Sequence, residues 1–125
     1  MRHAPARGKW AEDRAADFLV RRMGCTLLAR NVRLAGGEID LVVADGEMHV
    51  FVEVKARAAG AESAARSVSP DKRRRLGRAA AAWVARNGMP SGGCRFDVIT
   101  VGGEGSRHQL EHLRGAFETP QRWGM

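Results

Sequence analysis

GGEIDLVVADGEMHVFVEVKAR, residues 36–57, reads as two β-strands joined by a tight turn. Ile39 to Val43 and Val50 to Val54 are apolar and largely β-branched, interrupted by Asp40 in the first run and Glu53 in the second. Asp45-Gly46 lies between them, and glycine there supplies the positive φ of a primed hairpin turn. Side chains alternate along a strand, so Glu38, Asp40 and Val42 share one face, as do His49, Phe51, Glu53 and Lys55. A two-residue loop at Asp45-Gly46 sets Glu38 opposite Glu53 and Asp40 opposite Phe51. A four-residue loop sets Asp40 opposite Glu53. Both registers put Asp40, Glu53 and Lys55 on one face, and a three-residue loop would separate them.

Two carboxylates and a lysine on otherwise apolar strands require a reason, because buried unpaired charge is costly and like charges at close range repel. A divalent cation between Asp40 and Glu53 removes both difficulties. Carboxylate oxygens suit Mg²⁺ or Mn²⁺; Mg²⁺ takes one or two of them, keeps several waters and leaves room for a phosphate. Lys55 would point at the same place, where it can hold an attacking water or stabilise charge developing on the phosphate. The plainer alternative makes Glu53 and Lys55 solvent-facing residues of a half-exposed strand, with Asp40 merely near a turn.

Asp40 followed by Glu53-Val54-Lys55 resembles the metal-site signature of the PD-(D/E)xK nuclease superfamily. Asn31-Val32-Arg33, Gly37-Glu38-Ile39-Asp40-Leu41, Phe51-Val52-Glu53-Val54-Lys55-Ala56-Arg57 and Arg95-Phe96-Asp97-Val98 resemble, within it, the YraN-like family of small bacterial proteins, similar to archaeal Holliday-junction resolvases. The resemblance spans roughly Gly8 to Phe117. An ExK triplet alone is weak, whereas GEIDL followed by FVEVK in this order and at this separation is specific. The resemblance implies a restriction-endonuclease-like fold, with Asp40 and Glu53 as metal ligands and Lys55 as the water-orienting group. It also implies an acid from the first helix completing the metal site, and Glu12 matches that position. Glu38 is a further candidate ligand. The family usually has glycine just before the helix acid, and here Ala11 stands there. A plainer role for Glu12 is to satisfy the positive start of its helix.

The chain has 125 residues, enough for one domain with its own core. Its 21 Lys and Arg against 14 Asp and Glu give a net charge of +7, which favours a polyanionic partner, nucleic acid first and an anionic membrane surface second. No apolar run approaches the ~18 residues of a membrane span and no signal-peptide core is visible, so the cytoplasm is the expected location. Cys25 and Cys94 are too few for a disulfide framework or a four-thiolate zinc site.

Along the chain, residues 1–7 are expected to form a loose basic tail. Gly8 to Met23 reads as a helix, with Ala11, Ala15, Phe18, Leu19 and Arg22 at helical spacing and Gly24 as its stop. Cys25 to Leu34 reads as a strand bent at Asn31. Arg30 and Arg33 flank the bend as candidates for phosphate contact, or as ordinary surface arginines. Ala35-Gly36-Gly37 turns the chain into the hairpin. Beyond it, Ala56 to Arg66 is rich in small residues and reads as a mobile loop beside the site, with Arg57 a candidate phosphate contact. Ser69 as cap, Pro70 at N1 and Asp71 in the first turn open a helix that runs to about Arg86 and stops at Asn87-Gly88. Leu76, Ala79, Ala80, Trp83 and Val84 form its expected buried stripe. Arg66, Lys72, Arg73, Arg74, Arg75 and Arg78 against Asp71 make a local charge of +5, the larger part of the total. Lys72 to Arg75 covers a full turn, so at least one of these side chains faces the body of the protein. Nucleic-acid backbone binding is the natural reading, and contact with about five phosphates would give a log–log salt slope of roughly −4 to −5. A solvated helix face is the plainer one.

Arg95 to Val101 reads as a strand on which Asp97 is a partner for an arginine or a further ligand. His108 to Leu113 reads as a last edge strand. His108 and His112 have the spacing of a helical zinc pair, but no third ligand accompanies them and the stretch reads as strand rather than helix, so zinc is rejected there. Ala116-Phe117 is expected to dock on the core, and 118–125 to form a loose tail. The expected order of helix, three strands, helix and two strands makes an α/β sandwich over residues 8–117, with one mixed sheet of about five strands flanked by helices. No Gly-rich phosphate loop and no GxSxG motif support nucleotide hydrolysis or serine chemistry. The function expected is metal-dependent endonucleolytic cleavage of DNA, with branched or junction DNA among the substrates. Arg33, Arg57, Lys72, Arg73, Arg74, Arg75 and Arg78 would grip the backbone. A junction resolvase needs two active sites, so a homodimer is expected under this reading. The alternatives are a nucleic-acid-binding module that keeps the fold without cutting, and a cytoplasmic adaptor that uses its sheet edge.

Overall fold

The β-branched runs pair as the sequence suggests, but the turn between them comes one residue later than Asp45-Gly46. A computed structural model describes residues 3–57, 68–104 and 107–118. Strand β2 spans Gly37–Asp45 and β3 spans Met48–Arg57, antiparallel, with Asp45 paired to Met48. The loop is therefore Gly46-Glu47, and Gly46 takes φ 63° at its first position, where a type II′ turn places glycine. The register is the one that aligns Val42 with Phe51, the second of the two expected alignments.

Around this hairpin the sheet has the order β1-β2-β3-β4-β5, with β1 Thr26–Leu34, β4 Cys94–Glu104 and β5 Arg107–Leu113. Only β3 and β4 run parallel, and helix α2, Pro70–Asn87, lies between them in sequence. A parallel pair needs such a crossover. Helix α1, His3–Asp17, packs against the opposite face. It begins inside the stretch expected to be a loose tail, whose first two residues lie outside the description.

Two apolar layers result. Ala11, Ala15, Ala16 and Leu19 meet Leu41, Val43, Val50, Val52, Ile99 and Val101. On the other side Leu76, Ala79, Ala80 and Val84 meet Ile39, Val42, Phe51, Phe96 and Val98. A sheet covered on both faces reads as the near-continuous apolar runs seen in β2 and β3. Arg22, placed on the buried stripe by spacing, is exposed instead. A π-helical turn over Phe18–Arg22 adds a residue to the last turn and rephases it, and Met23 N–H bonds to Phe18 C=O at 3.2 Å. Gly24 at φ 75° then ends the helix. Helix α2 starts as expected: Ser69 Oγ accepts the backbone N–H of Lys72 at 3.2 Å, with Pro70 next in line.

Asp97 is fully buried and ties β4 to the C-terminal segment. It accepts two bonds from Arg95, from Nε at 2.8 Å and Nη2 at 3.1 Å, and one from the Gly115 N–H at 2.9 Å. His112 Nε2 lies 2.8 Å from its other side. Burial alone would raise this carboxyl, but the bonds from His112, Arg95 and Gly115 outweigh it and hold the group below its usual range. Asp97 is thus an arginine partner, and His112 is committed to it. Phe117 stacks on Phe96 at 5.2 Å, docking the segment.

Gly37 sets the distance between α2 and β2. A Cβ there would lie 2.2 Å from the Arg75 carbonyl oxygen, a backbone atom that cannot swing away. Gly37→Val is expected to push α2 off the sheet and cost about 1–3 kcal/mol, read as a lower denaturant midpoint at unchanged m-value.

Candidate active site

Asp40 alone among the residues of β2 is paired in neither neighbouring ladder. Pairing with β1 skips from Ile39 to Leu41, and pairing with β3 ends at Leu41–Val52. Opposite this gap β1 is kinked at Asn31, with φ 52°. The alternation slips here, so Ile39 packs with the α2 layer and Leu41 with the α1 layer. Released from the ladder, the Asp40 carboxylate accepts the Val54 N–H at 2.8 Å, a donor that a strand carbonyl would otherwise take.

Glu53, only 4% exposed, reaches the same place from β3, and two lysines converge on its Oε2. Lys72 Nζ of α2 is 2.6 Å away and Lys55 Nζ is 3.7 Å away. Asp40 is pushed up to about 8, by burial first and then by the Glu53 charge, against the opposing Val54 N–H; Glu12 adds to the rise. Lys55 is held below its ordinary value by burial and by the neighbouring Lys72. Burial also opposes the charge on Lys72, but the bond and charge of Glu53 prevail and raise it. Two ammonium groups thus face buried Glu53, beside a half-buried Asp40.

The pair opens into a cleft of about 560 Å³ lined by Glu38, Asp40, Glu53, Lys72 and Arg75, with Arg33 at its rim. Glu12 lies outside it, in a neighbouring groove of about 610 Å³ with Lys9 and Arg30. Arg30 Nη2 stands 3.6 Å from Glu12 Oε1 and 2.8 Å from Asp13 Oδ1. The helix acid therefore acts on Asp40 through its charge and faces an arginine with its oxygens. Arg33 lines both hollows and sits 3.7 Å from Glu38. Among the described residues no group of three or more His, Cys, Asp or Glu side chains is arranged to hold a metal ion. The carboxylates of Asp40 and Glu53 are nevertheless of the ligand type that Mg²⁺ or Mn²⁺ takes, one or two at a time with waters completing the shell.

Residues 11–101, which include every acid and lysine of this site, match the uncharacterised protein family UPF0102. The chain belongs to that family. A UPF0102 protein of Halorhodospira halophila is 46% identical over 112 residues, covering 89% of this chain and 86% of the relative. One from Nitratidesulfovibrio vulgaris strain DP4 is 42% identical over 124 residues, covering 98% and 90%. One from Bordetella avium is 45% identical over 116 residues, covering 92% and 77%.

The basic turn of this UPF0102 chain divides its labour. Lys72 turns inward to Glu53, and Arg75 lines the cleft while pairing with Asp71, as Arg74 does at 3.2 Å. Arg73 is not at the cleft. Its Nε donates to Val68 C=O at 3.1 Å and its guanidinium lies 5.2 Å from the centre of the Phe117 ring. Arg78 is exposed. Arg57 is the last residue of β3, and its side chain, like the loop 58–66 that includes Arg66, lies outside the description. No helix among the described residues is long and apolar enough to cross a membrane. Four consecutive cations do not by themselves mark Lys72 as the inward one. Its signal was the four-residue spacing to buried Leu76, which puts both on one helix face.

Proposed function

We propose that this chain is a metal-dependent endonuclease of the cytoplasm that hydrolyses phosphodiesters in DNA, branched or junction DNA included. The observation that carries the reading is the convergence of Asp40 and Glu53 at an open cleft also lined by Arg33 and Arg75, with Lys55 Nζ 3.7 Å from Glu53 Oε2. Asp40 and Glu53 would hold Mg²⁺ or Mn²⁺, with Glu38 near enough in the cleft to assist. The cation would supply Lewis acidity and a more acidic water. Lys55, its proton loosened by burial and by Lys72, is placed to orient or deprotonate the attacking water. Arg33 and Arg75 would hold flanking phosphates.

The test is a cleavage panel of duplex, flap, four-way junction and single-stranded DNA, each with Mg²⁺, Mn²⁺ or chelator. Lys55→Ala is expected to lower Mn²⁺-dependent nicking at least a hundredfold while DNA binding in chelator stays within twofold of wild type. A wild-type protein that cuts none of the substrates overturns the enzymatic reading.

The occupation of Glu53 by Lys72 supports a second reading, a DNA-binding module whose acid site is closed by its own lysine. That protein would bind DNA with a steep salt dependence and take up no Mn²⁺ at Asp40.

A further inference from the structure

Lys72 is oddly placed for a residue that grips a nucleic-acid backbone. Its ammonium is turned inward, at 2.6 Å from the Glu53 oxygen that also faces Lys55. The side chain remains 31% exposed and borders the cleft, so it can swing outward without moving the helix. Its backbone N–H, not its side chain, makes the Ser69 cap. We propose that Lys72 is a placeholder cation: it neutralises Glu53 while no metal is bound, and moves to a non-bridging phosphate oxygen of the DNA when a divalent cation takes its place. This rests on the endonuclease reading and assigns Lys72 a positioning role within it.

The physical case is competition for one oxygen. A carboxylate oxygen deep in a low-dielectric site does not serve an ammonium at hydrogen-bond distance and a divalent cation together, because the two positive charges repel strongly there. Displaced, the ammonium finds a cleft open to solvent, with Arg75 one turn further along α2 on the same wall. A phosphodiester carries one negative charge and two free oxygens, which suit a lysine and an arginine side by side. Lys55 is less suited to the exchange, since its stem rises from a central strand of the sheet.

The inference predicts opposite signs for two affinities. Mn²⁺ binding is measured by calorimetry on the full chain without DNA, for wild type, Lys72→Met and Lys72→Arg. Affinity for a short duplex is then measured with Ca²⁺ in place of Mn²⁺. Lys72→Met is expected to bind Mn²⁺ roughly tenfold more tightly, because the competing charge is gone. It is expected to bind the metal-loaded duplex several-fold more weakly. Lys72→Arg keeps a cation at the site and is expected to bind Mn²⁺ within about threefold of wild type. A structural salt bridge would not raise one affinity and lower the other. Mn²⁺ binding by Lys72→Met that equals or falls below wild type, with Lys72→Arg folded, overturns the inference and leaves the endonuclease reading standing. Wild type with no Mn²⁺ uptake that Asp40→Asn removes overturns both.

Discussion

Asp40→Asn is expected to abolish Mn²⁺-dependent cleavage, by at least a thousandfold, and in chelator to make the protein more stable than wild type above pH 8. The two effects share a cause. Asp40 sits with Glu53 in a buried site, and its carboxyl is raised to about 8 chiefly by that burial. An aspartate in the unfolded chain titrates near 4. The folded state therefore holds its proton more tightly, and stability is lost as pH rises between these two values. Below about pH 4 both states are protonated and the group contributes nothing. Above about pH 8 the full penalty of the buried charge is present, on the order of a few kcal/mol. Asparagine keeps an oxygen for the Val54 N–H at 2.8 Å but carries no charge. The melting temperatures of variant and wild type should thus agree near pH 4, separate as pH rises and run parallel above pH 8. A variant less stable than wild type at pH 9 would show that Asp40 serves the fold rather than the site.

Asp97→Ala is expected to be the most damaging single change in the sheet, at about 3–5 kcal/mol. The substitution leaves the Arg95 guanidinium, the Gly115 N–H and His112 Nε2 facing a cavity where a fully buried carboxylate had stood. Arg95 retains Asp45, whose Oδ2 lies 3.4 Å from Nη2, and a weak bond from Nη1 to the Met48 sulfur at 3.6 Å. Asp97→Asn keeps the volume and part of the bonding, and should lose about half as much. Equilibrium urea unfolding of the two variants measures both values. Because the network lies on the side of the sheet away from α2, the Asp97→Asn protein should retain Mn²⁺ binding at the acid pair.

Much of this architecture is legible in the chain itself, and the misses have local causes. The Ser69-Pro70-Asp71 helix start and the Gly24 and Gly88 stops are stated by residues whose backbone preferences are strong. The hairpin turn slipped by one because Gly46 serves equally well as the second residue of a type I′ turn or the first of a type II′ turn. Only packing against both helices selects between them. Asp40, Glu53 and Lys55 could be placed together because strand periodicity survives such a slip in this register. Lys72 to Arg75 was harder, since four consecutive cations carry no internal contrast. Lys72 turns inward because its stem lies above Leu76, and Arg73 is withdrawn by Phe117, far along the chain. The need for Gly37 is invisible without α2, because the atom it must avoid belongs to the backbone of Arg75.

The Val54 amide hydrogen is shielded from water by a side chain rather than by a neighbouring strand. Deuterium uptake at that position therefore reports on the Asp40 carboxylate, while Leu41 and Val52, paired in the ladder beside it, exchange only when the sheet opens. A single peptide group thus works as a native gauge of whatever engages that acid, legible without substrate or turnover.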